Sequence, residues 1–168
     1  MIKMKMGLAA AIAATGLMTV VPVQAVEVQT GAAGACKSAL PAFDGNIRTR
    51  PLAMQNEGST AAFVSCSNSN VHGDAAFANT VVGVYIQNQS AATQDVSCTF
   101  VDGRLAAGPE YFPKTQSFAA GGSGFIVWSA AADNGGEPFT AFANFSCQLA
   151  PGVGISRIAY VYPGPAAP

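Results

Sequence analysis

Three segments of the chain share one alternation of apolar and polar positions: Phe63-Val64-Ser65-Cys66, Asp95-Val96-Ser97-Cys98-Thr99-Phe100-Val101 and Asn144-Phe145-Ser146-Cys147-Gln148-Leu149. In an extended strand successive side chains point to opposite faces. Val96, Cys98 and Phe100 therefore share a face, as do Phe145, Cys147 and Leu149, and as do Val64 and Cys66. Each cysteine points where the large apolar residues point, into a core. The run Thr80-Val81-Val82-Gly83-Val84-Tyr85-Ile86-Gln87 is rich in β-branched residues and predicts the strongest strand. Further strands are expected over Asn46 to Arg50, at an edge because Pro51 interrupts it, and over Leu52 to Gln55. Others are expected over Thr115 to Ala119, Phe125 to Trp128, Phe139 to Leu149 and Ile155 to Tyr162.

Turn chemistry separates these runs. Asn56-Glu57-Gly58-Ser59 predicts a hairpin between Leu52–Gln55 and Thr60–Cys66. Asn88-Gln89-Ser90 predicts antiparallel pairing of Thr80–Gln87 with Thr93–Val101. Leu105 to Pro113, with Gly108-Pro109, reads as a loop. About eight short strands and no helical periodicity after the first residues predict an all-β domain. Its expected architecture is a two-sheet antiparallel β-sandwich, Greek-key or jelly-roll in connectivity.

The ends read differently. Residues 1–25 carry Lys3 and Lys5, an apolar stretch from Gly7 to Val23 and the small-residue site Val23-Gln24-Ala25, the pattern of a secretory signal peptide. The apolar stretch is short for a membrane span, so no integral insertion is expected after cleavage. Residues 26–35 read as a flexible lead, 36–162 as the β-sandwich domain and 163–168 as a Pro/Ala tail. With Lys3 and Lys5 removed, six basic residues face nine acidic ones, and no basic cluster exists to track phosphates, so nucleic acid is not an expected partner. The remaining four cysteines are an even number in an exported chain, and two disulfides follow. Three pairings are possible. Cys36–Cys66 and Cys98–Cys147 are favoured, because Cys98 and Cys147 sit in near-identical strand settings and Cys36 is left with its nearest partner. A zinc site is disfavoured, since no spacing is the short C-x₂₋₄-C pair.

The segment Val96-Ser97-Cys98-Thr99-Phe100, with Phe145-Ser146-Cys147-Gln148-Leu149-Ala150-Pro151-Gly152 and Ile155-Ser156-Arg157-Ile158, resembles small exported bacterial β-sandwich proteins with paired cysteine strands. Ser67 stands where such proteins often have proline. The resemblance implies a secreted β-sandwich and no activity.

Candidate chemistry is sparse. His72 is the single histidine, so a Ser-His-Asp mechanism would run through it with Ser69 and Asp74, three neighbours on one loop that rarely meet triad geometry. Asn68, Asn70 and Asp74 offer oxygen ligands of the kind calcium takes, but with few carboxylates. Paired acids for glycoside hydrolysis could come from Glu57, Asp74, Asp95, Glu110, Asp133 or Glu137, yet each lies in or beside a turn, where acids have structural uses. Gly121-Gly122-Ser123-Gly124 lacks the Lys-Ser/Thr ending of a phosphate loop. No cofactor or metal is therefore expected. Amphipathic aromatics remain: Tyr160 and Tyr162 share a strand face and, with Tyr111, form the expected ligand platform, while Trp128, following Phe125-Ile126-Val127, is expected in the core. The resulting expectation is a secreted or periplasmic, non-enzymatic binding or structural module. Its partner would be a polysaccharide or an envelope protein, and the alternative is a small secreted hydrolase on the same scaffold.

Overall fold

The computed structural model describes residues 25–69, 78–103 and 108–164. The expected leader, apart from Ala25, lies outside these residues, as do His72 with its loop and 165–168 of the tail. Among the described residues no helix is long and apolar enough to cross a membrane.

Among the described residues eleven strands form two antiparallel sheets: β1 Ala25–Gly31, β2 Cys36–Ser38, β3 Ile47–Arg50, β4 Ala53–Asn56, β5 Ala62–Ser69, β6 Val81–Asn88, β7 Gln94–Asp102, β8 Glu110–Phe118, β9 Ser123–Ser129, β10 Phe142–Leu149 and β11 Val153–Pro163. Sheet I runs β3-β4-β11-β6-β9, with β1 also on β11, and sheet II runs β2-β5-β10-β7-β8. Strands β4 to β11 alone give the order 4-11-6-9 facing 5-10-7-8, which is jelly-roll connectivity. The expected strands correspond to this nucleus and to β3, which lies at the edge of sheet I as its Pro51 required, and β1 and β2 extend the sheets beyond the count of about eight.

Neither expected hairpin forms. β4 and β6 lie in sheet I, whereas β5 and β7, which follow them, lie in sheet II. The same device turns the chain across the sandwich in both places. Asn56 Oδ1 accepts from the Gly58 N–H at 3.0 Å, while its Nδ2 donates to the carbonyls of Thr60 and Leu149, each at 2.8 Å. Asn88 repeats the pattern: Oδ1 accepts from Ser90 N–H at 3.0 Å, and Nδ2 donates to Ala92 O at 2.8 Å and Phe118 O at 2.9 Å. Each asparagine closes a local turn with its oxygen and holds a strand of the other sheet with its nitrogen. Both side chains are almost fully buried, which only complete hydrogen bonding permits.

The segment expected to be a flexible lead is also ordered. Ala25–Gly31 pairs along its whole length with β11, from Ala25↔Pro163 to Gly31↔Arg157, and Val26 and Val28 pack against the core. The Val-Glu-Val-Gln alternation makes this strand: apolar residues turn inward and polar ones outward. A four-residue helical turn, Ala32–Ala35, then carries the chain to β2 in the other sheet. Glu110 to Pro113, expected as loop, opens β8 instead. Pro113 is tolerated there because β8 is the outer strand of sheet II.

The core between the sheets centres on Phe100, whose ring lies 4.9–5.9 Å from those of Phe112, Trp128, Phe139 and Phe145. Trp128 is fully buried, and its indole N–H is satisfied by the Phe112 carbonyl at 2.7 Å. Lys114, on β8, closes the gap between the sheets' edges. Its ammonium donates to the Val127 carbonyl at 2.7 Å and pairs with Asp133 at 2.8 Å.

Candidate functional site

Alternation along the strands of sheet II sends Cys66, Cys98, Cys147, Phe100 and Phe145 inward, and leaves a polar outer face. Its rows follow from the register. Lys37, Ser65, Ser146, Thr99 and Pro113 form one row across β2, β5, β10, β7 and β8, and Ser67, Asn144, Val101 and Tyr111 form the next. At these rows lies a depression of about 650 Å³, a size common to ligand pockets. Gly34 to Lys37 bound one side and Gly103 with Pro109 the other. Ser67 donates from Oγ to Asn144 Oδ1 at 2.8 Å, so the Asn144 amide oxygen is engaged and its NH₂ is left to face outward. Three aromatics stand exposed on this face: Tyr111, opposite Val101 at the end of the second row, Phe142, one row beyond Asn144 on β10, and Phe63, two residues before Ser65 on β5. With strands about 4.8 Å apart and residues about 3.4 Å apart along them, Tyr111 and Phe142 arise roughly 12 Å from each other.

The expected trio of tyrosines is divided. Tyr111 is 64% exposed on sheet II, but Tyr160 and Tyr162 are only 3% and 6% exposed, on the inner face of sheet I. Their rings stack on each other at 6.2 Å, opposite Val28 and Val26 of β1. Burial, with Tyr162 beside it, pushes the Tyr160 hydroxyl above the usual tyrosine range. The exposed platform of Tyr160, Tyr162 and Tyr111 therefore does not form. Arg157 gives the physical reason: its charge must face solvent, so Ala159 and Val161 share its outer face and Ile158, Tyr160 and Tyr162 turn inward. A bulge at Ser156 shifts the register and lets Ile155 and Ile158 both enter the core.

The structure joins Cys36 to Cys66 and Cys98 to Cys147, each pair directly opposed on neighbouring strands of sheet II. The candidate acids take local partners. Glu57 forms a bidentate pair with Arg50 at 2.6 Å, and that hydrogen bond holds its carboxyl below the usual range. Asp95 accepts from Ser117. Asp133 accepts from Lys114 and from the Ser129 N–H, and these bonds outweigh the upward push of burial and hold its carboxyl below the usual range. Glu110 and Glu137 lie exposed at the surface. His72, Asn70 and Asp74 lie outside the described residues, so neither the loop triad nor the calcium set is placed.

Sequence reasoning passed over Lys37, Ser65, Ser67, Asn144 and Ser146. Their signal was the polar half of each cysteine strand, the positions between the core-facing residues.

Fold and site together define a disulfide-bonded jelly-roll β-sandwich with a depression on the outer face of one sheet, lined by serines, Asn144 and Lys37 among apolar surface. No protein-family model and no curated protein matches the chain. Among solved structures it is similar to a family 11 carbohydrate-binding module from Clostridium thermocellum in complex with a β-1,3-1,4-mixed-linked tetrasaccharide, at 9% identity over 86% of this chain and 91% of that one, with a TM-score of 0.42. It is also similar to a carbohydrate-binding module specific for non-crystalline cellulose, at 13% identity over 79% and 87% of the two chains, TM-score 0.43. A third likeness is to TmCBM61 in complex with β-1,4-galactotriose, at 10% identity over 82% and 88%, TM-score 0.38.

Proposed function

We propose that this protein is an exported, non-catalytic binding module of a bacterial envelope or periplasm that holds a polysaccharide on the outer face of sheet II. The observation that carries the reading is the depression itself. Serine hydroxyls and the Asn144 amide supply directional hydrogen bonds of the kind sugar hydroxyls take, and Tyr111 and Phe142 offer exposed ring faces on the same sheet face. Its described lining holds no carboxylate and no histidine, which favours holding a ligand over cleaving one. Two disulfides support an oxidising compartment, where such a module would work.

The test is retention of the disulfide-intact protein on a panel of insoluble neutral and acidic polysaccharides, with reduced and alkylated protein as control. Retention lost in the control is expected. Tyr111→Ala and Phe142→Ala should each weaken it about threefold to tenfold, the worth of one stacking contact, without altering the unfolding midpoint. Retention on no polysaccharide, or unchanged affinity in both variants, overturns the reading. Release of soluble sugar from a retained polymer would put the hydrolase in its place.

A further inference from the structure

Given the polysaccharide reading of this face, on which the inference rests, we propose that the depression selects acidic glycans, with Lys37 pairing to the carboxylate of a uronate residue.

Three observations converge on Lys37. The register places it at the β2 end of the row Ser65, Ser146 and Thr99, so its stem leaves the sheet on the ligand side. It is exposed, and neither of the two ion pairs among the described residues, Arg50–Glu57 and Lys114–Asp133, involves it. It is also the sole cation of the described lining, which contains no acid. The nearest carboxylate along the chain, Asp44, borders a smaller cavity together with Lys37, but it is engaged by the Ser38 hydroxyl and forms no ion pair with the ammonium.

The hydrogen-bonding balance points the same way. An ammonium is donor only, and the Asn144 amide oxygen is already taken by Ser67, so this side chain also presents its donors. Between them Ser65 and Ser146 carry hydroxyls that can donate or accept. A depression with donors at its β2 side and in its middle and no fixed negative charge in its described lining complements a ligand rich in acceptors, and a carboxylate on a hydroxylated ring is such a ligand. The chain as a whole is slightly acidic, with a formal net charge of −1, so the attraction is local to this face and not a property of the whole surface.

The decisive comparison uses one backbone with and without charge: polygalacturonate and its methyl-esterified form, with neutral glucan and galactan alongside, in affinity electrophoresis of the disulfide-intact protein. The polygalacturonate should be held about tenfold more tightly than the ester, and added salt should erase much of that margin. Lys37→Gln should remove the preference, with the loss falling on polygalacturonate far more than on the ester. Lys37→Arg should keep it, and both variants should unfold at the wild-type midpoint. Equal retention of both polymers by the wild type, or an intact preference in Lys37→Gln, overturns the inference and leaves polysaccharide binding standing. Failure to retain any polymer, charged or neutral, overturns the reading beneath it and the inference with it.

Discussion

Replacing Asn88 tests whether buried asparagines, and not turn propensity, send the chain across the sandwich. Asn88 is 1% exposed, and its side chain makes five hydrogen bonds: to the carbonyls of Ala92, Phe118 and Ala119 at 2.8–2.9 Å, and from the N–H and hydroxyl of Ser90 at 3.0 and 2.7 Å. In Asn88→Ala the Phe118 carbonyl, buried between the sheets, loses this donor, whereas the bonds to Ser90 and Ala92 lie nearer the surface, where water can substitute. Counting one buried carbonyl stripped of a donor and partial losses at the others gives about 3 kcal/mol. Asn88→Asp keeps the acceptor for Ser90 but sets a carboxylate oxygen against three carbonyl oxygens. It should therefore cost more than alanine, about 4–5 kcal/mol at neutral pH. Burial against those oxygens raises the pKa of the new carboxyl, so as pH falls from neutral toward the unfolded carboxylate range it protonates, can donate again, and the gap between the variants should close progressively. Urea unfolding with the disulfides intact measures all of this, and m-values should match the wild type. If Asn88→Asp were as mild as Asn88→Ala at neutral pH, the amide donors would carry no weight and the account of the crossing would be wrong.

Two further outcomes are expected. The native protein should show no reactive thiol, and reduction should remove about 4 kcal/mol per bridge on the chain-entropy argument, given sequence separations of 30 and 49 residues; an unchanged unfolding midpoint after reduction would count against any stabilising part for the bridges. The Asp133 carboxyl lies lower in the folded than in the unfolded chain, so the stability it lends is fully present above the unfolded carboxylate range and is lost as pH falls through the folded value. Asp133→Asn should flatten the acid limb of the stability curve, and an acid limb identical to the wild type would refute the role of the Lys114 latch.

Much of the sandwich is legible in the chain because burial and alternation coincide in the cysteine strands. Val96, Cys98 and Phe100 face inward, and polar neighbours face outward, as their spacing requires. What escaped was connectivity. Asn56-Glu57-Gly58 and Asn88-Gln89-Ser90 look like hairpin turns, since asparagine serves local turns too, and nothing nearby in sequence reveals that Nδ2 reaches Leu149 or Phe118. β1 escaped for a different reason. Val26 and Val28 are only two apolar residues in a polar stretch, and their strand exists because β11 lies alongside with a free edge beyond β4. The tyrosines were recoverable, because Arg157 fixes which face of β11 meets water. The depression was not, because Lys37 and Asn144 come from strands 107 positions apart in the chain.

Both disulfides lie within sheet II, and neither crosses the core to sheet I. That placement bears on the site more than on the core. A bond between directly opposed residues fixes strand register, and a one-residue slip would turn every outer side chain inward. Sheet I has less need of such a lock, since β11 is held by β1, β4 and β6 together. Sheet II has β2, three residues long, at its edge, and three residues of pairing are too few to hold a strand alone. Cys36 bonds this strand to β5, and Lys37 is the next residue. The bridge thus holds the cation beside Ser65 before any ligand arrives, so ligand binding need not meet the entropy of ordering that wall.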